Sequence, residues 1–227
     1  MSKLKNTTRK SANCPFISVI LPVYNQGKFL AHAIDSVIQQ TSSDWELIIV
    51  NDGSSDHSLD VAKKYLKSYS KIKLLDIKHS GVSKAINSGF SVSTGSYITT
   101  LGADDYYKPN HLMDNSNFLK NNQNIDLLMS KVEVIGSPYV VDIETPGQMI
   151  HLDECAIGGT FFVKRAVFKK VGGRPPVQYG TDYQFVQKVI KASFKIHKRS
   201  SRTYVYDRTG ESSITKDQEN IFLKSKK

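Results

Sequence analysis

With 227 residues and 39% apolar side chains, among them eleven Tyr and ten Phe, the chain is long enough for one α/β domain with a sizeable core. No apolar run approaches the roughly 20 residues of a membrane span, no secretory signal opens the sequence, and the only cysteines, Cys14 and Cys155, are too few for a disulfide framework. The formal charge of +10 is concentrated at the ends, where Lys3, Lys5, Arg9, Lys10, Lys224, Lys226 and Lys227 leave about +3 for everything between, which argues against a dedicated nucleic-acid surface.

Reduced thiols point to a cytosolic setting. Two readings stand for the basic ends: solvated arms, or weak peripheral attraction to anionic lipid on the inner membrane face at about 1 kcal/mol per basic residue. Residues 1–14 read as a flexible basic arm and 216–227 as a basic tail. Between them, 15–215 reads as one domain with a nucleotide-binding half (15–107) and an acceptor-binding half (108–215).

Phe16 to Leu21 is a continuous apolar run of the kind buried inside a parallel sheet. The loop Pro22-Val23-Tyr24-Asn25-Gln26-Gly27 follows, then a helix whose Phe29, Leu30, Ala33, Ile34, Val37 and Ile38 share one face. Trp45 to Val50 is a second strand, ending in Asn51-Asp52-Gly53-Ser54-Ser55-Asp56. A helix carrying Leu59, Ala62, Tyr65 and Leu66, a strand at 72–77, a helix at 82–90 and a strand at 97–101 complete the regular half. This alternation predicts a doubly wound, mostly parallel sheet with helices on both faces. The second half is less regular. It predicts strands at 125–135 and 160–163, helices at 166–171 and 182–193, and closing strands at 194–198 and 203–206. The second of those helices would turn Phe185, Val186, Val189 and Ile190 inward.

In such sheets ligands bind beyond the carboxyl ends of the strands. Tyr24-Asn25, Asp52-Gly53-Ser54 and Asp104-Asp105 each follow a strand and should gather at one edge. Adjacent Asp104 and Asp105 repel unless a cation is near, and hard oxygen donors of this kind suit Mg²⁺ or Mn²⁺ shared with phosphates. Asp52 suits hydrogen bonds to a base or ribose, with Ser55 or Asp56 as a plain helix cap in competition. Thr181-Asp182-Tyr183-Gln184 fits a capping box, with Thr181 as N-cap. Asp182 falls on the apolar face of that helix, as an inward carboxylate suited to general-base work or, alternatively, as a partner of the helix dipole. His111, His151 and His197 read as core or surface residues.

Ile17 to Asn25, Ile49 to Asp56, Gly81-Val82-Ser83-Lys84-Ala85-Ile86-Asn87, and Gly95-Ser96-Tyr97-Ile98 with its acidic turn resemble the inverting family-2 glycosyltransferases of the GT-A fold. The resemblance runs from about 16 to 215. It implies a GT-A sheet with a small mixed C-terminal sheet region, and transfer of sugar from a nucleotide sugar, most often UDP-linked, to a carbohydrate or lipid-linked glycan in polysaccharide or glycolipid assembly. It places Pro22, Tyr24, Asn25, Asp52, Lys84, Ala103 and Asp105 around the donor and the divalent metal on Asp104. Gly158, Gly159 and Thr160 would lie under the sugar and acceptor, with Asp182 as base. Three positions depart from the family pattern: Gly102 stands for the first acid of Asp-x-Asp-Asp, Thr181 for the acid before the base, and Gly210 for a histidine.

Two other enzyme classes fit less well, since the loop after the first strand lacks the basic glycine-rich run of a sugar-phosphate nucleotidyltransferase and the G-x-G-x-x-G of a dinucleotide oxidoreductase. A non-catalytic partner subunit is favoured by Gly102 and Gly210 and opposed by Asp52, Asp104 and Asp182.

Overall fold

The computed structural model describes residues 14–145, 148–177 and 180–209. The expectations on the basic ends and on Gly210 lie outside them.

The first half follows the apolar pattern closely: β1 (Ile17–Val23), α1 (Gly27–Ile38), β2 (Trp45–Asp52), α2 (Ser58–Ser68), β3 (Ile72–Ile77), α3 (Val82–Val92) and β4 (Tyr97–Thr100). All eight residues of β2 are buried, as its near-continuous apolar sequence requires with helices on both faces. Side-chain alternation divides β1 between two cores. Val19 and Leu21 join Leu30, Ala33 and Ile34 of α1, while Ile20 joins Ala85 and Ile86 of α3. Parallel pairing puts Ile17 beside Trp45 on one side and Tyr97 on the other. Strands β1, β2 and β4 therefore end at the same edge.

The second half adds β5 (Tyr106–Tyr107), α4 (His111–Asn121), β6 (Leu127–Met129), β7 (Val132–Ile135), β8 (Tyr139–Val141), β9 (Met149–His151), β10 (Phe162–Lys164), α5 (Arg165–Lys170), α6 (Thr181–Lys191), β11 (Ile196–Lys198) and β12 (Tyr204–Asp207). The central sheet has seven strands in the order β11-β6-β10-β4-β1-β2-β3, with β10 antiparallel to both neighbours. A mixed sheet β5-β12-β7 and the hairpin β8-β9 flank it.

Four expectations are corrected. The single strand at 125–135 is two, because the chain leaves the central sheet after Met129 and pairs β7 with β12 after Ser130-Lys131. Thr160 closes a 3₁₀ turn over 158–160 instead of opening β10. Ile190 is 52% exposed, on the cavity side of α6, and not inward. The residue before α6 is Gly180 in a left-handed conformation (φ 73°), with no side-chain cap, so the Thr181 capping box does not form. Strands β5, β8 and β9 span two or three residues each, too few for periodicity to show.

Candidate active site

The loops after β1 and β2 brace each other through side chains the turn motifs supply. Asn25, at φ 51°, accepts from the Ser55 backbone N–H (2.8 Å) through Oδ1, and its own N–H donates to Ser54 Oγ (3.0 Å). Asp56 stands at the start of two helices at once. One oxygen accepts from Gly27 N–H in α1 and the other from Ser58 N–H in α2, each at 2.9 Å. Both positions suit an anion. Burial pushes this carboxyl up, but the hydrogen bonds from Ser58 and Gly27 outweigh it and hold Asp56 below the usual carboxylate range.

Asp52 ends β2 with its side chain 3% exposed. Its Oδ1 accepts from Ser80 N–H (2.8 Å) and Ser80 Oγ (3.1 Å), and its Oδ2 from Gly81 N–H (2.9 Å). His79 Nδ1 lies 3.0 Å from Oδ2. The carboxylate thus fixes the loop after β3. That loop carries the His79 ring, stacked on Tyr24 at 3.9 Å between centroids. His79 sits at the carboxyl end of β3, where the strand-end rule points, although its residue type carries no motif.

The acidic turn is deeply set. Tyr204 hydroxyl donates to Asp105 Oδ2 (2.5 Å) and Asp207 N–H to Oδ1 (3.0 Å). Burial first, then Asp104, push the Asp105 carboxyl well above its ordinary range. Burial also raises Asp104, opposed by its own backbone N–H and assisted by Asp207. A Cβ at Gly102 would stand 2.6 Å from Asp105 Oδ2 and 3.1 Å from Asp104 Oδ1. In this backbone the glycine leaves room for the two acids, and a third carboxylate at 102 would collide with them. Tyr204 and Asp207 come from β12, which no motif in the sequence marks.

On the far side, Asp182 opens α6 with its side chain 33% exposed. Gly158 N–H donates to its Oδ2 (2.8 Å), and the buried Arg174 guanidinium pairs with Oδ1.

The loops so braced border one cavity of about 1390 Å³, while Asp56, Ser80 and Arg174 stand behind its lining. Pro22, Tyr24, Asn25 and Asp52 line it with Ala103, Asp104 and Asp105; Gly158, Gly159 and Asp182 line the opposite wall. Two expected residues are elsewhere. Lys84 is exposed on α3, whose neighbouring Ser83, Ala85 and Ile86 are buried, so helical periodicity turns it to solvent. Thr160 is 1% exposed and spends its hydroxyl on the Ile157 carbonyl (2.8 Å). His111 is a core residue, His151 half-buried and His197 exposed.

Among the described residues no group of three or more His, Cys, Asp or Glu side chains converges as a closed metal cage. The acidic turn nonetheless fits a hard divalent cation shared with a ligand. Asp104 borders the cavity beside Asp105 and Asp207, and their mutual repulsion is what a cation would relieve. With both Asp105 oxygens engaged, Asp104 is the carboxylate left to coordinate. No helix among the described residues is long and apolar enough to cross a membrane.

Comparison with known proteins bears on the fold and the family. An uncharacterised glycosyltransferase of Haemophilus influenzae is 28% identical over 198 residues, which is 79% of this chain and 61% of the relative. Escherichia coli YibD, also an uncharacterised glycosyltransferase, is 40% identical over 106 residues, 47% of this chain and 29% of its own. The chain therefore spans less than two thirds of these relatives. Among solved structures, Staphylococcus aureus TarS 1–349 in complex with UDP-GlcNAc superposes with a TM-score of 0.71 at 21% identity, covering 87% of this chain and 60% of that one. The mannosyltransferase PcManGT of Pyrobaculum calidifontis, in complex with GDP-Man and Mn²⁺, gives 0.68 at 16%, covering 85% and 57%. These likenesses establish the GT-A fold. The model of "Glycosyl transferase family 2" matches residues 18–142, more than half of the sequence and the part that holds three of the cavity's loops, so the chain belongs to that family.

Proposed function

We propose that this chain moves a sugar from a nucleoside diphosphate sugar, UDP-linked, to an acceptor hydroxyl with inversion at the anomeric carbon. The observation that carries the reading is convergence: Asp52, Asp104 and Asp182, from three distant stretches, line one cavity at the carboxyl edge of the sheet. Donors of this class are supported by the UDP-GlcNAc and GDP-Man in the complexes of similar fold.

In this reading Pro22, Tyr24 and Asn25 border the nucleotide, and the Tyr24–His79 stack offers it a flat surface. Asp52 holds the 79–81 loop and keeps that stack in place. Asp104, with the diphosphate oxygens, would hold a Mn²⁺ or Mg²⁺ ion, which supplies electrostatic relief to the departing nucleoside diphosphate. Asp105 stands behind Asp104, fastened by Tyr204. Ala103, Gly158 and Gly159 face the sugar with little side chain. Asp182 accepts the proton of the acceptor hydroxyl while its oxygen bonds to the anomeric carbon, and the bond to the diphosphate breaks on the opposite face. Ile143, Val186 and Ile190, which border the cavity near Asp182, support a carbohydrate or lipid-linked glycan acceptor with an apolar portion, as in polysaccharide or glycolipid assembly at the cytoplasmic face of a membrane.

The test is a thermal-shift and donor-hydrolysis panel of UDP-GlcNAc and GDP-Man with Mn²⁺ and with EDTA. One donor at a hundred times its Kd should stabilise the fold by about 2.7 kcal/mol. It should be hydrolysed in Mn²⁺ and not in EDTA, and Asp182→Asn should keep the shift and lose hydrolysis. A panel with neither shift nor hydrolysis overturns the reading.

A further inference from the structure

Arg174 is an unusual residue to find sealed in a core. Its side chain is 2% exposed, and the guanidinium lies between the rings of Phe161 (5.0 Å) and Phe185 (4.7 Å). A desolvated cation in such a slot is costly unless a counter-charge meets it. That counter-charge is Asp182 Oδ1. The second guanidinium nitrogen reaches the Gly158 carbonyl at 3.5 Å, and Gly158 N–H returns to Asp182 Oδ2 at 2.8 Å. A Cβ at Gly158 would stand 2.3 Å from Asp182 Oδ1 and 2.8 Å from Arg174 Nη2, so only glycine lets the three groups close on one another.

The backbone of Arg174 is pinned as firmly. The Asn87 side chain accepts from Arg174 N–H and donates to its carbonyl, both at 2.9 Å. Asn87 belongs to α3, whose first turn is tied through Gly81 to Asp52. Other acids near the start of α6, Asp142 and Glu144, act on Tyr183, and Thr181 Oγ1 lies 3.5 Å from Asp182 Oδ1. Arg174 is thus the cation that faces Asp182 among the described residues.

We propose that Arg174, anchored by Asn87, is a positioning residue that keeps the Asp182 carboxylate aimed into the cavity. The inference rests on Asp182 being the base of the proposed transfer. A fixed cation on Oδ1 and a fixed N–H on Oδ2 leave the carboxylate one orientation.

Arg174→Gln should lower kcat for UDP-GlcNAc hydrolysis at least tenfold with the donor KM within about threefold. Asn87→Ala, which keeps the guanidinium but frees the backbone that carries it, should lower kcat the same way by less, and it serves if Arg174→Gln does not fold. Methylguanidinium should restore part of the turnover of Arg174→Ala. The ¹³C linewidth of the Asp182 carboxyl at neutral pH needs no turnover, and it should broaden in Asn87→Ala as the carboxylate samples more than one orientation. If wild type neither binds nor hydrolyses a donor, the transferase reading fails while the linewidth still decides the role of Arg174. Unchanged kcat in Arg174→Gln, a donor KM that rises in step with the loss of kcat, or an Asp182 signal indifferent to Asn87→Ala overturns the proposal.

Discussion

The two walls of the cavity are built by different physics. On the side of β1, β2 and β3 the loops hang from strands of six to eight residues, and β1 and β2 lie inside the sheet between two apolar cores. Loop geometry there is inherited from hydrophobic burial, then trimmed by short side chains such as Asn25, Asp52 and Asp56. On the opposite side most strands span three or four residues, and arginines take over the fastening. Arg208 donates to the carbonyls of Ser137 and Tyr139, Arg202 pairs with Asp153, and Arg174 holds Asp182. The sheet side should therefore resist single polar changes and fail on loss of volume. The other side should lose local order when one donor is removed.

The largest effect should come from the chemistry itself. Asp104→Asn should reduce Mn²⁺-dependent donor hydrolysis by about 10²-fold or more while leaving the melting temperature nearly unchanged, measured by product release and calorimetry. Ile49→Ala, in the middle of fully buried β2, should cost about 2–5 kcal/mol of global stability in a urea titration, with m unchanged. Arg208→Met, which leaves two carbonyls without their donor, should cost about 1–3 kcal/mol, and amide exchange should speed up first in β8 and β9. An equal loss of protection across β1 and β2 would dissolve the contrast between the two walls.

Glu46 sharpens it at the other end of the sheet. Its carboxylate is buried, which by itself would push it up, yet Lys73, Ser18 and Thr94 hold it down at about 2, against 4.5 for the ordinary group. A depressed folded value means stability that is complete above the ordinary pKa and is lost as the pH falls toward 2. Wild type should lose melting temperature steeply between pH 4.5 and 2, whereas Glu46→Gln should start lower at pH 7 and fall less over that window. The smallest change belongs to the exposed Tyr183–Glu144 hydrogen bond (2.5 Å), where Tyr183→Phe should leave the melting temperature unchanged within the precision of calorimetry.

The first half of the fold was legible because burial writes itself into residue order. Leu30, Ala33, Ile34 and Val37 recur at helical spacing and are all fully buried, and β3 runs from Ile72 to Ile77 as its apolar run indicates. The convergence of Asp52 and Asp104 on one edge followed from parallel topology alone, since β2 and β4 flank β1 in register. What the residue pattern could not carry was any feature made by pairing across distance. Asp182 was readable as a carboxylate on an apolar helix face, but its partner Arg174 follows a Gly-Gly break with no periodicity. Tyr204, which secures Asp105, is 99 residues away from it.

Local order in the chain determined the alternating elements, the edge at which the loops gather and the acids those loops carry, because side-chain period and turn chemistry act over a few residues. Only the tertiary structure decided which of those acids are fastened and which face the cavity, and that Gly102 and Gly158 leave space for carboxylates. Such outcomes depend on close approach between groups, 24 residues apart for Gly158 and Asp182 and 99 for Asp105 and Tyr204, where a few tenths of an ångström separate contact from collision.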